Sequence, residues 1–288
     1  MNLHRWKDID FRGTIEKVEY MAVREDGKVW KKYALVYLPY GYDEAKPYNV
    51  LYLMHGGGGN ADAWVDCSQI KNVFDQGFFE KKAEPFIAVF PTYYSVIPAE
   101  HPMTGIDAAW MDKQVHDWQK EFIEKLVPAV EGRYHTYAKD ITPEGLKASR
   151  DHRAFGGFSM GGSTTWYNFL ENLDYVSTFL PLSGDCWVME PMGGRLQPEE
   201  TVKRLIDAVE KRDMTKDDFR IFIGTGDKDI AYDNLVPQVE AMKAHPEYFE
   251  YSDDLSKGNF HFVVKENSVH AYEEVYHHVW HDLPYLWG

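Results

Sequence analysis

The sequence has few cysteines, a deficit of basic residues and no long apolar run. Its two cysteines, Cys67 and Cys186, are too few for a disulfide framework, and no C-x-x-C pair suggests a zinc site. We expect two free, partly buried thiols. The chain has 31 Lys and Arg but 46 Asp and Glu, so its net charge is −15. This charge argues against nucleic acid or an anionic membrane as a partner. No run approaches the length of a transmembrane helix.

Residues 1–10 are polar and therefore lack the apolar core of a signal peptide. We therefore expect a protein that stays inside the cell, or a mature or excised form of a secreted one. The 288 residues contain no internal repeat, low-complexity segment or linker composition. A single domain over residues 1–288 is the prediction.

Short apolar runs alternate with helical patterns along the chain. The predicted strands are 13–22, 30–38, 48–54, 85–91, 154–158, 178–182, 220–224 and 260–264. The predicted helices are 163–170, 198–211, 235–244, 272–283 and one over residues 115–130. This alternation predicts an α/β fold with a mainly parallel central sheet, helices on both faces and an antiparallel N-terminal hairpin.

The glycine-rich stretch 154–162 carries the first chemical signal. Residues 157–161 fit the pattern G-x-S-x-G, in which a serine lies on a tight turn between a strand and a helix. Side chains in place of Gly157 or Gly161 would clash in such a turn. The pattern alone is weak, because Gly and Ser are common in turns. The predicted strand before it and the predicted helix after it make Ser159 the candidate nucleophile.

A serine nucleophile needs a base, and the chain offers several histidines. His270 follows the last predicted strand and precedes the last helix, where a loop can bring its imidazole over Ser159. His261 lies within the strand, and the histidines at 277, 278 and 281 lie along the terminal helix, where a solvated or capping role is expected. We select His270 on this placement.

The base needs an acid that fixes its tautomer, and aspartates follow two of the later strands. We select Asp227 at the end of the predicted strand 220–224. Asp229 is the rival, with Asp233 and Asp185 behind it, and each of them can also be a turn or helix-capping residue.

An oxyanion hole needs two backbone N–H groups. One should belong to Met160, directly after the nucleophile, and the other to the glycine loop 55–59 that follows a buried strand. Gly57 is the predicted donor in this loop, and Gly58 beside it is predicted to line the substrate site.

Together these motifs resemble carbohydrate esterase family 1, and within it the feruloyl (cinnamoyl) esterases. The resemblance rests on GFSMGG, HGGGG with the downstream Trp64, GTGD and a late histidine before an aromatic-rich helix, and it covers about residues 13–287. It implies the α/β-hydrolase fold, no cofactor, no metal and the site residues Ser159, Asp227 and His270. It also implies a serine esterase that releases hydroxycinnamic acids from feruloylated cell-wall oligosaccharides.

The residues that bind the substrate are less clearly marked in the sequence. A feruloyl group is a flat phenol that favours an apolar slot with aromatic walls. Trp187 is the first candidate for such a wall, Trp110 and Met111 are the second, and the loop 92–107 is predicted to form part of the rim. An acetyl-xylan or other small-acyl esterase is the alternative function, and a non-catalytic carbohydrate-binding domain is a third.

Overall fold

The computed structural model describes residues 10–23, 27–94 and 108–287, and within them eight strands form one sheet. The strands are β1 (Thr14–Val23), β2 (Val29–Leu38), β3 (Val50–Met54), β4 (Ile87–Phe90), β5 (Arg153–Phe158), β6 (Thr178–Leu182), β7 (Arg220–Gly226) and β8 (Phe260–Lys265). Their spatial order is β1-β2-β4-β3-β5-β6-β7-β8. β2 pairs antiparallel with β1 and β4, and the other pairs are parallel. The prediction of a mainly parallel sheet with an antiparallel N-terminal hairpin is confirmed.

Helices connect the parallel strands. They are α1 (Ala63–Asp66), α2 (Ile70–Phe79), α3 (Ala108–Glu121), α4 (Val127–Glu131), α5 (Pro143–Ala148), α6 (Met160–Asn172), α7 (Gly193–Leu196), α8 (Pro198–Glu210), α9 (Tyr232–Lys243) and α10 (Tyr272–Asp282). The helix predicted over residues 115–130 is α3 and α4, joined by a π-helical turn, Phe122–Leu126.

The sheet is covered on both faces, as the alternation along β3 shows. All five residues of β3 are buried. Val50, Tyr52 and Met54 pack in one cluster with residues of α3, α6, α8 and α9, whereas Leu51 and Leu53 pack in another with residues of α2 and α10. Because successive side chains of a strand point to opposite faces, the continuous apolar run of β3 requires a helical layer on each side.

Several side chains differ from the sequence expectation. The two cysteines are free, as predicted, but Cys67 is exposed and Cys186 fully buried. His278 is only 4 % exposed on α10, so a solvated role is wrong for it. Burial lowers the pKa of His278 to about 3, so this histidine is neutral. Most of the predicted rim loop, residues 95–107, lies outside the described residues.

A buried ion pair anchors the start of β5, the strand that leads to Ser159. Arg153 Nε donates to Glu131 Oε1 over 2.6 Å and its Nη2 donates to Oε2 over 2.8 Å, and both side chains are 1 % exposed. The guanidinium also donates to the carbonyls of Leu146 and Tyr175. A bidentate pair of this kind holds both partners in a fixed geometry.

Glu131→Ala is expected to lower the free energy of unfolding by about 3–5 kcal/mol, because it leaves the Arg153 charge buried without its carboxylate. Urea unfolding at neutral pH measures the loss. Glu19→Ala is the control, since Glu19 pairs with Lys31 where both side chains are exposed (49 % and 62 %), and its midpoint should stay near that of the wild type. Equal midpoints for the two variants would contradict the prediction.

Candidate active site

Ser159 lies on the sharp turn between β5 and α6. Its φ is 58° and its ψ is −120°, a conformation that side-chain-bearing residues rarely adopt and that costs on the order of 1–3 kcal/mol. A Cβ on Gly157 would lie 2.5 Å from the carbonyl oxygen of Gly161, and a Cβ on Gly161 would lie 2.5 Å from that of Met54. The two glycines are therefore required by close backbone contacts, and the Ser159 side chain is held at the carboxyl end of β5.

His270 joins the serine to a carboxylate. Its Nε2 lies 2.8 Å from Ser159 Oγ, and its Nδ1 lies 2.7 Å from Asp229 Oδ1. His270 lies in the loop between β8 and α10, and this loop brings its imidazole to Ser159. Because the carboxylate requires a proton on Nδ1, Nε2 is left as the acceptor for the serine proton.

The acid in this chain of hydrogen bonds is Asp229, so the prediction of Asp227 is wrong. Oδ1 of Asp227 instead accepts from the Ser268 amide over 3.2 Å. The reason is the length of β7, which continues to Gly226, two residues beyond the predicted end. The turn that follows β7 is displaced by the same two residues, and Asp229 occupies the position expected for Asp227.

The hydrogen bonds around Asp229 keep its carboxyl group ionised. Burial alone would raise the pKa of this carboxyl, but the hydrogen bonds from His270 and from the Ala231 amide outweigh burial and lower its pKa below the ordinary value. The Ala231 amide donates to Asp229 Oδ1 over 2.7 Å. Asp229 is therefore a carboxylate at neutral pH, and its charge stabilises an imidazolium on His270.

The glycine loop after β3 lies beside the serine turn. The amide of Gly56 donates to the Tyr272 hydroxyl over 2.8 Å, and the amide of Gly58 donates to the Tyr94 hydroxyl over 3.0 Å. A Cβ on Gly57 would lie 3.9 Å from the Met160 Cβ. Within the described part of the chain, the amides of Gly57 and Met160 donate to no protein group, which leaves two adjacent donors for an anion.

Comparison with known proteins identifies the family of the chain. The family model named Esterase matches residues 30–287. The chain is 38 % identical to a serine-to-alanine mutant of the feruloyl esterase module from Clostridium thermocellum complexed with sinapinate; the match covers 97 % of this chain and 90 % of that one, with a TM-score of 0.82. The chain belongs to the Esterase family. Its fold is the α/β-hydrolase fold, and the family is one of serine ester hydrolases.

Two curated relatives of this esterase are much longer proteins. Endo-1,4-beta-xylanase Y of Acetivibrio thermocellus is 40 % identical over 252 residues, which cover 87 % of this chain and 21 % of the relative. Endo-1,4-beta-xylanase/feruloyl esterase of Xylanibacter ruminicola is 28 % identical over 260 residues, which cover 88 % and 30 %. The esterase chain thus spans less than a third of the length of either.

The predicted substrate residues lie in two segments, of which one adjoins the serine turn and the other the glycine loop. Trp187 is partly buried, and its Nε1 donates to Asp185 Oδ1 over 3.1 Å. The segment that carries it starts against the serine turn, since a Cβ on Gly184 would lie 2.3 Å from the Ser159 carbonyl oxygen. Burial raises the pKa of Asp185 to about 6.

The second segment is α3, which adjoins the glycine loop. The Trp110 ring stacks on Tyr94 at 5.6 Å between centroids and 13° between planes, and the Met111 Sδ lies 3.9 Å from the position of a Cβ on Gly57. The sequence marked Tyr94 only as a loop residue and Tyr272 only as the first residue of the terminal helix. Neither position has a motif of its own, so their contacts with the glycine loop could not be predicted from the sequence.

No metal cluster accompanies these residues: among the described residues, no group of three or more His, Cys, Asp or Glu is placed to hold a metal ion. In the same ranges, no helix has both the length and the apolar character needed to cross a membrane.

Proposed function

We propose that this esterase hydrolyses esters that join ferulic or related hydroxycinnamic acids to plant cell-wall polysaccharide, such as feruloylated arabinoxylan. The observation that carries the proposal is the series Ser159, His270 and Asp229, with contacts of 2.8 and 2.7 Å. It lies in a chain 38 % identical to a feruloyl esterase module that was solved with sinapinate, itself a hydroxycinnamate.

In the proposed mechanism, Ser159 is the nucleophile and His270 the general base. Nε2 takes the proton from Oγ as the oxygen attacks the ester carbonyl, and the imidazolium is stabilised by the Asp229 carboxylate. The Gly57 and Met160 amides bind the negative oxygen of the tetrahedral intermediate.

Collapse of that intermediate breaks the bond to the sugar oxygen, which takes the proton from His270. The hydroxycinnamoyl group is then an ester of Ser159. In the second half, His270 takes a proton from water, the hydroxide attacks the acyl carbonyl, and the imidazolium returns the proton to Ser159 Oγ. The products are the free acid and the regenerated enzyme, with no cofactor consumed.

We assign the acyl group to a site lined by Trp187, Trp110 and Gly58. Trp187 is the principal aromatic wall in this proposal, because its segment starts at the serine turn and its indole N–H is held by the buried Asp185. A fixed indole offers a flat apolar face to a phenyl ring without further loss of side-chain freedom on binding.

The test compares methyl ferulate, methyl sinapate and acetylated xylan as substrates of the purified chain. We expect both hydroxycinnamates to be preferred. Trp187→Ala should lower kcat/KM for methyl ferulate by about 10- to 100-fold, as expected for the loss of about 1.5–3 kcal/mol of aromatic contact. The same variant should change the hydrolysis of p-nitrophenyl acetate much less, which makes that ester the internal control. Strong preference for acetylated xylan, or an equal loss on both esters, would reject the aromatic slot.

A further inference from the structure

Two tyrosine hydroxyls hold the glycine loop on either side of Gly57. Tyr272 accepts the amide of Gly56 over 2.8 Å, and Tyr94 accepts the amide of Gly58 over 3.0 Å. The two tyrosines come from distant parts of the chain, one after β4 and the other at the start of α10. Gly57 is left between two fixed peptide groups, with its own amide free of protein partners in the described residues.

Tyr94 connects both halves of the proposed oxyanion hole. Besides accepting from Gly58, its hydroxyl lies 3.8 Å from Met160 Sδ, where it donates a weak hydrogen bond to the sulfur. Its ring is stacked on Trp110. The same phenol therefore contacts the loop that carries one amide donor and the residue that carries the other.

Tyr272 connects the loop to the serine turn. Its ring packs edge-on against Phe158 at 4.7 Å between centroids and against Trp64 at 5.2 Å. Phe158 directly precedes Ser159, and its ring lies 4.6 Å from that of His270. The Tyr272 hydroxyl is thereby fixed relative to the nucleophile and the base.

A run of glycines has no side chains to fix its peptide planes, so its conformation depends on its hydrogen bonds. An oxyanion hole acts through donors that are already in place before the charge develops, and a displacement of about 1 Å can cost about 10²-fold in rate. The peptide that carries the Gly57 amide is held at the Gly56 carbonyl, which accepts from the Gly59 amide over 3.1 Å and lies 2.7 Å from His55 Nδ1. The two tyrosines hold the peptides on either side of it. Rotation of those neighbouring peptides would displace the Gly57 amide relative to Met160.

We propose that Tyr94 and Tyr272 are positioning residues for the oxyanion hole, each holding one amide beside Gly57 so that the Gly57 amide stays aligned with that of Met160. The inference rests on the proposed function, since it assumes acyl transfer at Ser159. It does not depend on the acyl group. Burial raises the pKa of both phenols above the ordinary value, so both hydroxyls are neutral at neutral pH.

The test uses Tyr94→Phe, Tyr272→Phe and the double variant, because phenylalanine keeps the ring and removes only the hydroxyl. With any ester that the wild type cleaves, each single change should lower kcat about 10-fold and leave KM within about twofold, a smaller loss than removal of a donor itself. Tyr134→Phe is the matched control: its hydroxyl donates to Glu16 over 2.7 Å, away from the loop, and kcat should stay unchanged.

A second measurement separates positioning from a general structural role. An aryl trifluoromethyl ketone forms a tetrahedral oxyanion on the serine, whereas the product acid does not. The inhibition constant of the ketone should rise about 10-fold in each Phe variant, in step with kcat, while the dissociation constant of the product acid stays constant.

Wild-type kcat in both Phe variants would overturn the inference and leave the proposed function standing, as would a parallel loss of ketone and product binding. If one variant does not fold, the other decides the test. A wild type that cleaves no ester would instead overturn the proposed function, and the inference with it.

Discussion

Ser159→Ala is expected to lower kcat by about four orders of magnitude or more, with the fold intact. The hydroxyl is the proposed nucleophile, and its Oγ lies 2.8 Å from His270 Nε2. Without it, the remaining groups can only bind the ester and polarise its carbonyl, so the covalent route is closed. Alanine is the smallest change that removes Oγ while keeping the Cβ that the turn already contains.

Initial rates with methyl ferulate measure the loss, and circular dichroism checks the fold. A fluorophosphonate probe adds a second readout, because it should add its mass to the wild type and not to Ser159→Ala. The control is Ser256→Ala, whose exposed hydroxyl donates to Asp254 before β8, and both rate and labelling should match the wild type. Esterase activity or labelling retained in Ser159→Ala would contradict the assignment of Ser159 as the nucleophile.

The serine turn could be predicted because its constraints are local in sequence. Gly157 and Gly161 are needed by backbone contacts within the turn and with the end of β3, and the apolar runs of β3 and β5 mark those strands directly. Position at the end of a strand was also sufficient to select His270 from the other histidines. In each case a short pattern and the parallel-sheet rule carry the information.

Features that depend on contacts between distant segments could not be predicted. Tyr272 and Gly56 are 216 residues apart in the sequence, and no sequence pattern near either residue indicates that they are in contact. His278 is buried because α10 packs on the sheet, where a Cβ on Gly224 would lie 2.4 Å from the imidazole. A helical pattern specifies which residues share a face, but not which strand that face will meet.

The acid was predicted two residues too early for a related reason. The apolar run in the sequence ends before the strand does. Residues 220–224 are apolar after their first residue, but β7 continues through Thr225 and Gly226, which keep pairing with β8. The amide of Asp227 still donates to the Lys265 carbonyl over 3.1 Å. Extending the strand by these two residues would have moved the choice from Asp227 to Asp229.

Asp229→Asn is expected to lower kcat by about three to four orders of magnitude, because an amide can present its N–H₂ to the histidine and favour the wrong tautomer. The segments after β7 and β8 lie side by side, and Asp227 contacts Ser268 whereas Asp229 contacts His270. Only the second of these contacts reaches the imidazole.

Asp227→Asn is the matched control, since it makes the same chemical change two residues away. Its amide oxygen can still accept from the Ser268 amide, so kcat should stay within about threefold of the wild type. Rates for both variants with methyl ferulate, measured beside their thermal midpoints, decide between the two aspartates. The reverse order, with Asp227→Asn inactive and Asp229→Asn active, would mean that the loops rearrange when substrate binds and that the hydrogen bond of 2.7 Å between His270 and Asp229 is not the one used in catalysis.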